Sequence, residues 1–390
     1  MKKVFSLLLC ICISVSLTAC QDNAGTAGLP ANPPNSTQNT VCPEDVISVA
    51  VPVTVETLKD KDGTVIFQYM YQHMYLTIPD QAVADSVTID FLNRVDQSRQ
   101  EADNLAAQAQ ANYSPSANWT PYIYLAAYNP TRIDRGVLSL LGTNVSVFGG
   151  PHPERTYIAA NYNLVTGEVL TLGSILTHVD KKSELCDLVL QRLSEIKAEK
   201  HLYEGYEQTV RMHFQNDESG NESFYFTPTG LCFYYSPYEI APYISGMISV
   251  EIPYAQLTGI LEDAFFPEER ETATGDICIE PFVQDSLSEF TQFSEVIIHP
   301  EGARILLHAD AMVHNVRIDT GYWNLEGTHF VPEQTVYAAA ALCQFDAIML
   351  QYNIPDALPT LRVTFDSMGK TVSYYISQNG PDNTPVLLPG

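Results

Sequence analysis

Residues 147–171 read VFGGPHPERTYIAANYNLVTGEVLT, a turn-rich entry followed by an apolar, β-prone run, a Thr166-Gly167 turn and a second such run. Gly149, Gly150, Pro151 and Pro153 have unusual or restricted backbone freedom, so the segment reads as a β-hairpin with a constrained entry loop that presents His152. Working outward, 122–128 and 137–147 have strand character upstream, and 224–226, 231–235 and 246–252 have it downstream. Leu185, Leu188, Val189, Leu193 and Ile196 recur at helical spacing within 183–200. Nearer the start, 46–79 reads as strands interrupted by a Lys59-Asp60-Lys61-Asp62-Gly63 turn. Asp80 is placed to cap a helix over 81–111, where Val83, Val87, Phe91, Val95, Ala102, Leu105 and Ala109 share one face. The fold class is therefore α+β, a mainly antiparallel sheet with two amphipathic helices.

Beyond a charged, turn-rich break at 267–275 the long helical period disappears. Short strands are expected at 295–299, 304–316, 361–365 and 371–376, with a hairpin loop at 366–370. Residues 271–390 are accordingly expected to form a C-terminal all-β, sandwich-like domain.

The first twenty residues combine Lys2 and Lys3 with an apolar run and end in Leu17-Thr18-Ala19-Cys20. That is the form of a lipoprotein export signal, which would leave Cys20 lipidated as the first mature residue. Ordinary cleavage beside an incidental cysteine is the competing reading. Residues 21–45, rich in Gly, Pro, Asn and Thr, read as a flexible tether. No second apolar run approaches the ~20 residues that cross a bilayer. The formal net charge is −26, and the two lysines of the signal are among only 20 basic residues. Nucleic acid is excluded as a partner held by a basic surface, whereas a cationic partner suits such a chain. Beyond Cys20 the cysteines are Cys42, Cys186, Cys232, Cys278 and Cys343, odd in number and widely spaced, which supports neither a disulfide framework nor a zinc site.

GGPHPERTYIAANYNLVTGEVLTLGSIL resembles the Gly-Gly-Ala-His signature and hairpin of RsiV-type extracytoplasmic domains. YFTPTGLCFYYSPYEIAPYISGMISVEIPYAQL resembles the end of the same domain. Residues from about 47 to 129 are similar to the N-terminal domain of PdaC-type deacetylases. The resemblance implies a PdaC-type domain at 46–130 and an RsiV-type domain at 131–270, after the signal at 1–20 and the tether at 21–45. RsiV-type outer domains bind lysozyme, so the resemblance implies a lysozyme-like protein as a partner. The separate catalytic domain of PdaC-type enzymes has no counterpart here.

The candidate ligand-binding residues are Gly149, Gly150 and His152 in the first loop and Tyr238, Glu239 and Tyr243 in the segment Ser236-Pro237-Tyr238-Glu239-Ile240-Ala241-Pro242-Tyr243. Amphipathic aromatics on a stiff loop make good contacts for a protein or a glycan. The competing reading has the tyrosines covering a sheet end and Glu239 satisfying backbone donors. His308, Asp310, Met312 and His314 would share one face of a straight strand, which raises the thought of a transition metal, but the spacing fits no mechanistic motif. No nucleophile elbow, His-Glu-x-x-His, phosphate loop or dinucleotide fingerprint occurs. The expectation is a non-catalytic, extracytoplasmic protein without cofactor or metal, anchored to the bacterial membrane through Cys20, that binds a lysozyme-like protein or a cell-wall glycan. The alternative is a cell-envelope polysaccharide hydrolase or deacetylase accessory with an unrecognised carboxylate site.

Overall fold

β1 (Ser48–Ala50), β2 (Val53–Lys59), β3 (Val65–Gln72) and β4 (Tyr75–Thr77) open the computed structural model. It describes residues 47–390 apart from 116–118, 151, 216–222, 269–271, 285–289, 291, 325, 354–357 and 380–383. The expected signal, Cys20, the tether and Pro151 lie outside the described residues. The β2–β3 turn forms as its sequence dictates: Asp60 Oδ1 accepts from the backbone N–H of Asp62 and Thr64 at 2.8 and 3.0 Å, and Gly63 takes φ +84°. Asp80 then caps α1 (Gln81–Asn112), accepting from Ala82 N at 2.9 Å and Val83 N at 3.2 Å. The seven apolar positions named above are all buried along this helix. They pack on β3 and β5 (Tyr122–Ile133), where Phe91 meets the Tyr128 ring edge-on and Ser98 bonds Tyr69. With β6 (Val137–Val147) and β7 (Glu154–Asn163) these strands make a sheet of order β2-β3-β5-β6-β7. It is antiparallel except at β3–β5, the pair that α1 connects.

The hairpin after β7 is shorter than its sequence suggests. Gly167, at φ +77°, closes the turn by donating to Asn163 O, but the returning arm makes only the Tyr162–Val169 bridge. Thr171 and Ser174 form a reciprocal capping box that diverts the chain into α2 (Leu172–Ile175). α3 (Lys181–Lys200) and α4 (Tyr206–Gln215) follow, then β8 (Phe224–Phe226), β9 (Gly230–Tyr235), β10 (Ile248–Pro253) and α5 (Tyr254–Leu257). The three strands pair in the order β10-β9-β8. Leu185, Val189 and Leu193 of α3 and Val210 and Phe214 of α4 share one core with Phe224, Phe233 and Ile252. α4 is an addition to the expected elements; its three buried positions are too few to announce a helix in advance.

The C-terminal part is built from β11 (Ile277–Pro281), β12 (Gln292–Ile297), β13 (Ala303–Ala309), β14 (Val313–Trp323), β15 (Phe330–Leu342), β16 (Asp346–Tyr352), β17 (Leu361–Ser367), β18 (Lys370–Asn379) and β19 (Thr384–Pro389). Two sheets, β19-β18-β17-β14-β15-β1-β4 and β11-β13-β16-β12, enclose a core containing Leu307 and Ile348 from one and Val316, Tyr337 and Val363 from the other. The fold is thus α+β with a β-rich C-terminal region. One sheet draws β1 and β4 from the other end of the chain, and β5 runs through residue 130. The expected single strand over 304–316 is two strands in different sheets, broken at 310–312, so His308 and His314 share no strand face.

Residues 42–390 form one compact unit. A buried ion pair helps to tie it together. Arg132 Nε donates to Asp134 at 2.5 Å, Asp134 accepts from the backbone N–H of Gly136 and Val137, and Arg132 Nη1 donates to Tyr254 Oη and Phe265 O, both at 2.6 Å. This joins the β5–β6 turn to α5 and the 3-10 turn at Asp263–Phe265, and burial pushes the Tyr254 phenol up to about 12. Thr335 N likewise donates to Asn129 Oδ1, pinning β15 to β5. One of the described cysteines is paired. Cys343 is disulfide-bonded to a partner outside the described residues, while Cys186, Cys232 and Cys278 are free. Sequence spacing carries no trace of the pairing, because bonded cysteines need proximity in space rather than in the chain.

Candidate functional site

The loop between β6 and β7 and the loop after β9 meet on the surface. Gly149 takes φ +87°, a conformation that favours glycine, whereas Gly150 shows no positive φ; both are exposed. His152 is exposed and stacks on Tyr243 with ring centroids 3.9 Å apart and planes 21° from parallel. Tyr238 completes the group, its centroid 6.3 Å from His152 and 5.7 Å from Tyr243. Hydrogen bonds lock the rings. Tyr243 Oη donates to Pro153 O at 2.8 Å, and His152 Nδ1 lies 3.2 Å from the same carbonyl. Since that oxygen can only accept, the proton is assigned to Nδ1, which leaves Nε2 to accept from Tyr238 Oη at 3.2 Å.

The second loop is held from beneath. Ile240 and Ala241 are buried in the helical core, and Ile240 O accepts from Tyr203 N at 2.9 Å. Tyr238 N donates to Ala241 O, and Ser245 Oγ donates to Lys200 O at the end of α3. Glu239 faces its own scaffold: Oε2 accepts from Ser236 N at 2.6 Å and Oε1 lies 3.0 Å from His213 Nε2 on α4. Ser236 Oγ accepts from Tyr157 N, fastening this loop to β7. Of the candidate residues, His152, Tyr238 and Tyr243 therefore form one cluster. Gly149 and Gly150 shape its entry loop, and Glu239 braces it. Ile244, absent from the candidates, stands 88 % exposed beside Tyr243, and Tyr238 is 59 % exposed. A lone isoleucine between a tyrosine and a serine gives no sequence signal of such exposure.

The cluster has rings, hydroxyls and an aliphatic side chain on a fixed backbone, a composition that suits contact with another molecule. Tyr238 holds φ +71°, uncommon for a large side chain and costly by roughly 1–3 kcal/mol. Thiol chemistry finds no support nearby. Burial pushes the Cys232 thiol up to about 11 and raises that of Cys186, the opposite of what a thiolate nucleophile needs. No group of three or more metal-ligating side chains occurs among the described residues, and none of their helices is long and apolar enough to cross a membrane.

Comparison with curated proteins finds no match. Among solved structures, a DUF3298-family protein from Bacteroides fragilis is 20 % identical with a TM-score of 0.39, the match covering 56 % of this chain and 94 % of that one. A DUF3298-family protein from Pseudomonas aeruginosa PAO1 is 16 % identical with a TM-score of 0.38, covering 57 % of this chain and 97 % of that one. The family model described as "Protein of unknown function (DUF3298)" matches residues 175–255, which span α3, α4, β8, β9, β10 and the Tyr238–Tyr243 loop. Over those residues, this chain carries a DUF3298 domain.

Proposed function

We propose that this protein is a lipid-anchored, extracytoplasmic binding or sensing module whose contact surface is the ring cluster of His152, Tyr238 and Tyr243 with Ile244. The observation that carries the reading is the meeting of two separately braced loops, 86 residues apart between His152 and Tyr238, in one exposed and internally bonded aromatic surface. Loops already ordered lose little entropy on binding. The disulfide at Cys343 supports an oxidising compartment, and the Leu17-Thr18-Ala19-Cys20 sequence supports lipidation at Cys20. The resemblance of the two loop segments to RsiV-type domains, behind a PdaC-type N-terminal region, favours a lysozyme-like protein as the partner. The chain's net charge of −26 would speed its encounter with a cationic protein and make binding fall with salt.

Calorimetric titration of the purified protein with lysozyme, at low and moderate salt, tests this. Binding is expected to persist at moderate salt and to weaken about tenfold or more in Tyr238→Ala, since an aromatic anchor at an interface centre is worth ~2 kcal/mol. Binding that vanishes with salt and ignores Tyr238→Ala would reduce the effect to nonspecific charge attraction.

A further inference from the structure

Three elements converge at the foot of the second loop. His213 lies near the end of α4, between Val210 and Phe214, which are buried in the helical core, and its ring centroid is 5.6 Å from that of Tyr235. Its Nε2 lies 3.0 Å from Glu239 Oε1, and its Nδ1 lies 3.4 Å from the hydroxyl of Ser223, just before β8. A carboxylate can only accept, so the neutral ring is assigned its proton on Nε2 and offers a lone pair at Nδ1 to Ser223 Oγ. Both ends are anchored. Ser223 O accepts from Tyr234 N at 2.9 Å, which holds the serine to β9, and Glu239 Oε2 accepts from Ser236 N at 2.6 Å. A histidine that only braced the loop would need the carboxylate alone; here a hydroxyl from a third element meets its other nitrogen.

We propose that Ser223, His213 and Glu239 form an acyl-transfer site for small carboxylic esters, with Ser223 as the nucleophile. Hydroxyl, imidazole and carboxylate stand in the spatial order that nucleophilic catalysis uses, and such sets are recognised by geometry and role, whatever their order in the chain. The Ser–His contact of 3.4 Å is of the kind that tightens only around substrate. Ser223 Oγ attacks the ester carbonyl carbon while its proton passes to His213 Nδ1. The carbon–oxygen bond to the alcohol then breaks, and the alcohol leaves with that proton. Water, deprotonated by His213, attacks the acyl-serine in turn, which releases the carboxylic acid and restores the Ser223 hydroxyl. Glu239 is a positioning residue: it touches no reacting atom, but it holds the tautomer and stabilises the imidazolium formed in each step. The His213 and Glu239 side chains are 30 % and 28 % exposed, so approach is from the surface, which suits a short acyl group rather than a long chain. The three residues are separate from the ring cluster, so the chemistry is independent of what that cluster binds.

Labelling of the purified protein with a fluorophosphonate, located by peptide mass spectrometry, tests the nucleophile, and turnover of p-nitrophenyl butyrate tests the reaction. The wild-type label is expected on Ser223. His213→Gln is expected to lower both labelling and kcat by about a hundredfold or more. Ser223→Ala, which removes one half-buried hydroxyl, is expected to abolish turnover. Glu239→Gln is expected to lower kcat by about tenfold or more at nearly constant KM, which a loosened loop alone would not produce. The proposal is overturned by the absence of label at Ser223 in the wild-type protein, by label that ignores His213→Gln, by turnover that survives Ser223→Ala, or by a Glu239→Gln effect confined to KM.

Discussion

At the scale of single residues, Tyr238 carries the strongest conflict between local preference and structure. A tyrosine at φ +71° is retained because its ring and hydroxyl complete the cluster with His152 and Tyr243. Thermal unfolding should therefore rank Tyr238→Gly above Tyr238→Ala by about 1 kcal/mol, since both lose the ring but only alanine keeps the backbone strain. The opposite order would contradict the left-handed conformation. A second residue-scale expectation concerns Glu56. Its carboxyl is held below the usual range, first by hydrogen bonding to the Arg99 guanidinium, which itself lies 5.0 Å over the Tyr69 and Tyr71 rings. A depressed carboxyl stabilises the fold above its unfolded pKa and loses that contribution as pH falls through the folded value. The pair is partly exposed, so Glu56→Gln should cost at most ~1 kcal/mol at neutral pH, and the gap to wild type should close below about pH 4 in denaturant titrations. A gap unchanged in acid would contradict the pairing. Turn and proline chemistry made His152, Tyr238 and Tyr243 legible in the sequence. The Arg132–Asp134 pair was not, because its partner Tyr254 lies 122 residues away and an isolated Arg-x-Asp has no characteristic meaning.

At the scale of elements, α1 shows the conditions under which sequence is legible: a side-chain cap, one apolar face and 32 uninterrupted residues. β15 and β16 show the reverse. Buried without a break over 335–340 of β15 and throughout β16, these stretches lack the alternation that marks a strand with one wet face. Periodicity also says nothing of partners. β1 lies between β15 and β4, pairing Val49 with Ala338 and Leu76, so a sheet attributed to 271–390 takes two strands from before residue 78. A fragment of residues 271–390 would present the β15 edge unpaired, an open template for association. Sedimentation is expected to show that fragment self-associating, and co-expression with residues 47–79 is expected to suppress it. A monomeric, dispersed fragment would contradict the contribution assigned to β1.

At the scale of the whole molecule, Cys343, just after β15, is disulfide-bonded. Cys42 is the candidate the sequence leaves if Cys20 is lipidated and the signal removed, and Ile47, five residues on, already accepts from Ala340 N at 2.9 Å. Non-reducing peptide mapping is expected to recover Cys42 joined to Cys343, and Cys343→Ser to lose roughly 2–4 kcal/mol of stability. A free thiol at Cys42 in the oxidised protein would contradict the assignment. The Arg132 network and the β1 pairing link distant parts of the chain into one support for the loops that hold the rings. The central claim is that this support presents His152, Tyr238, Tyr243 and Ile244 to a partner. Amide hydrogen exchange of the protein with and without lysozyme, at moderate salt, tests it most directly. The account predicts added protection concentrated in 149–158 and 236–248; protection spread over the acidic surface, or none in those two segments, would contradict it.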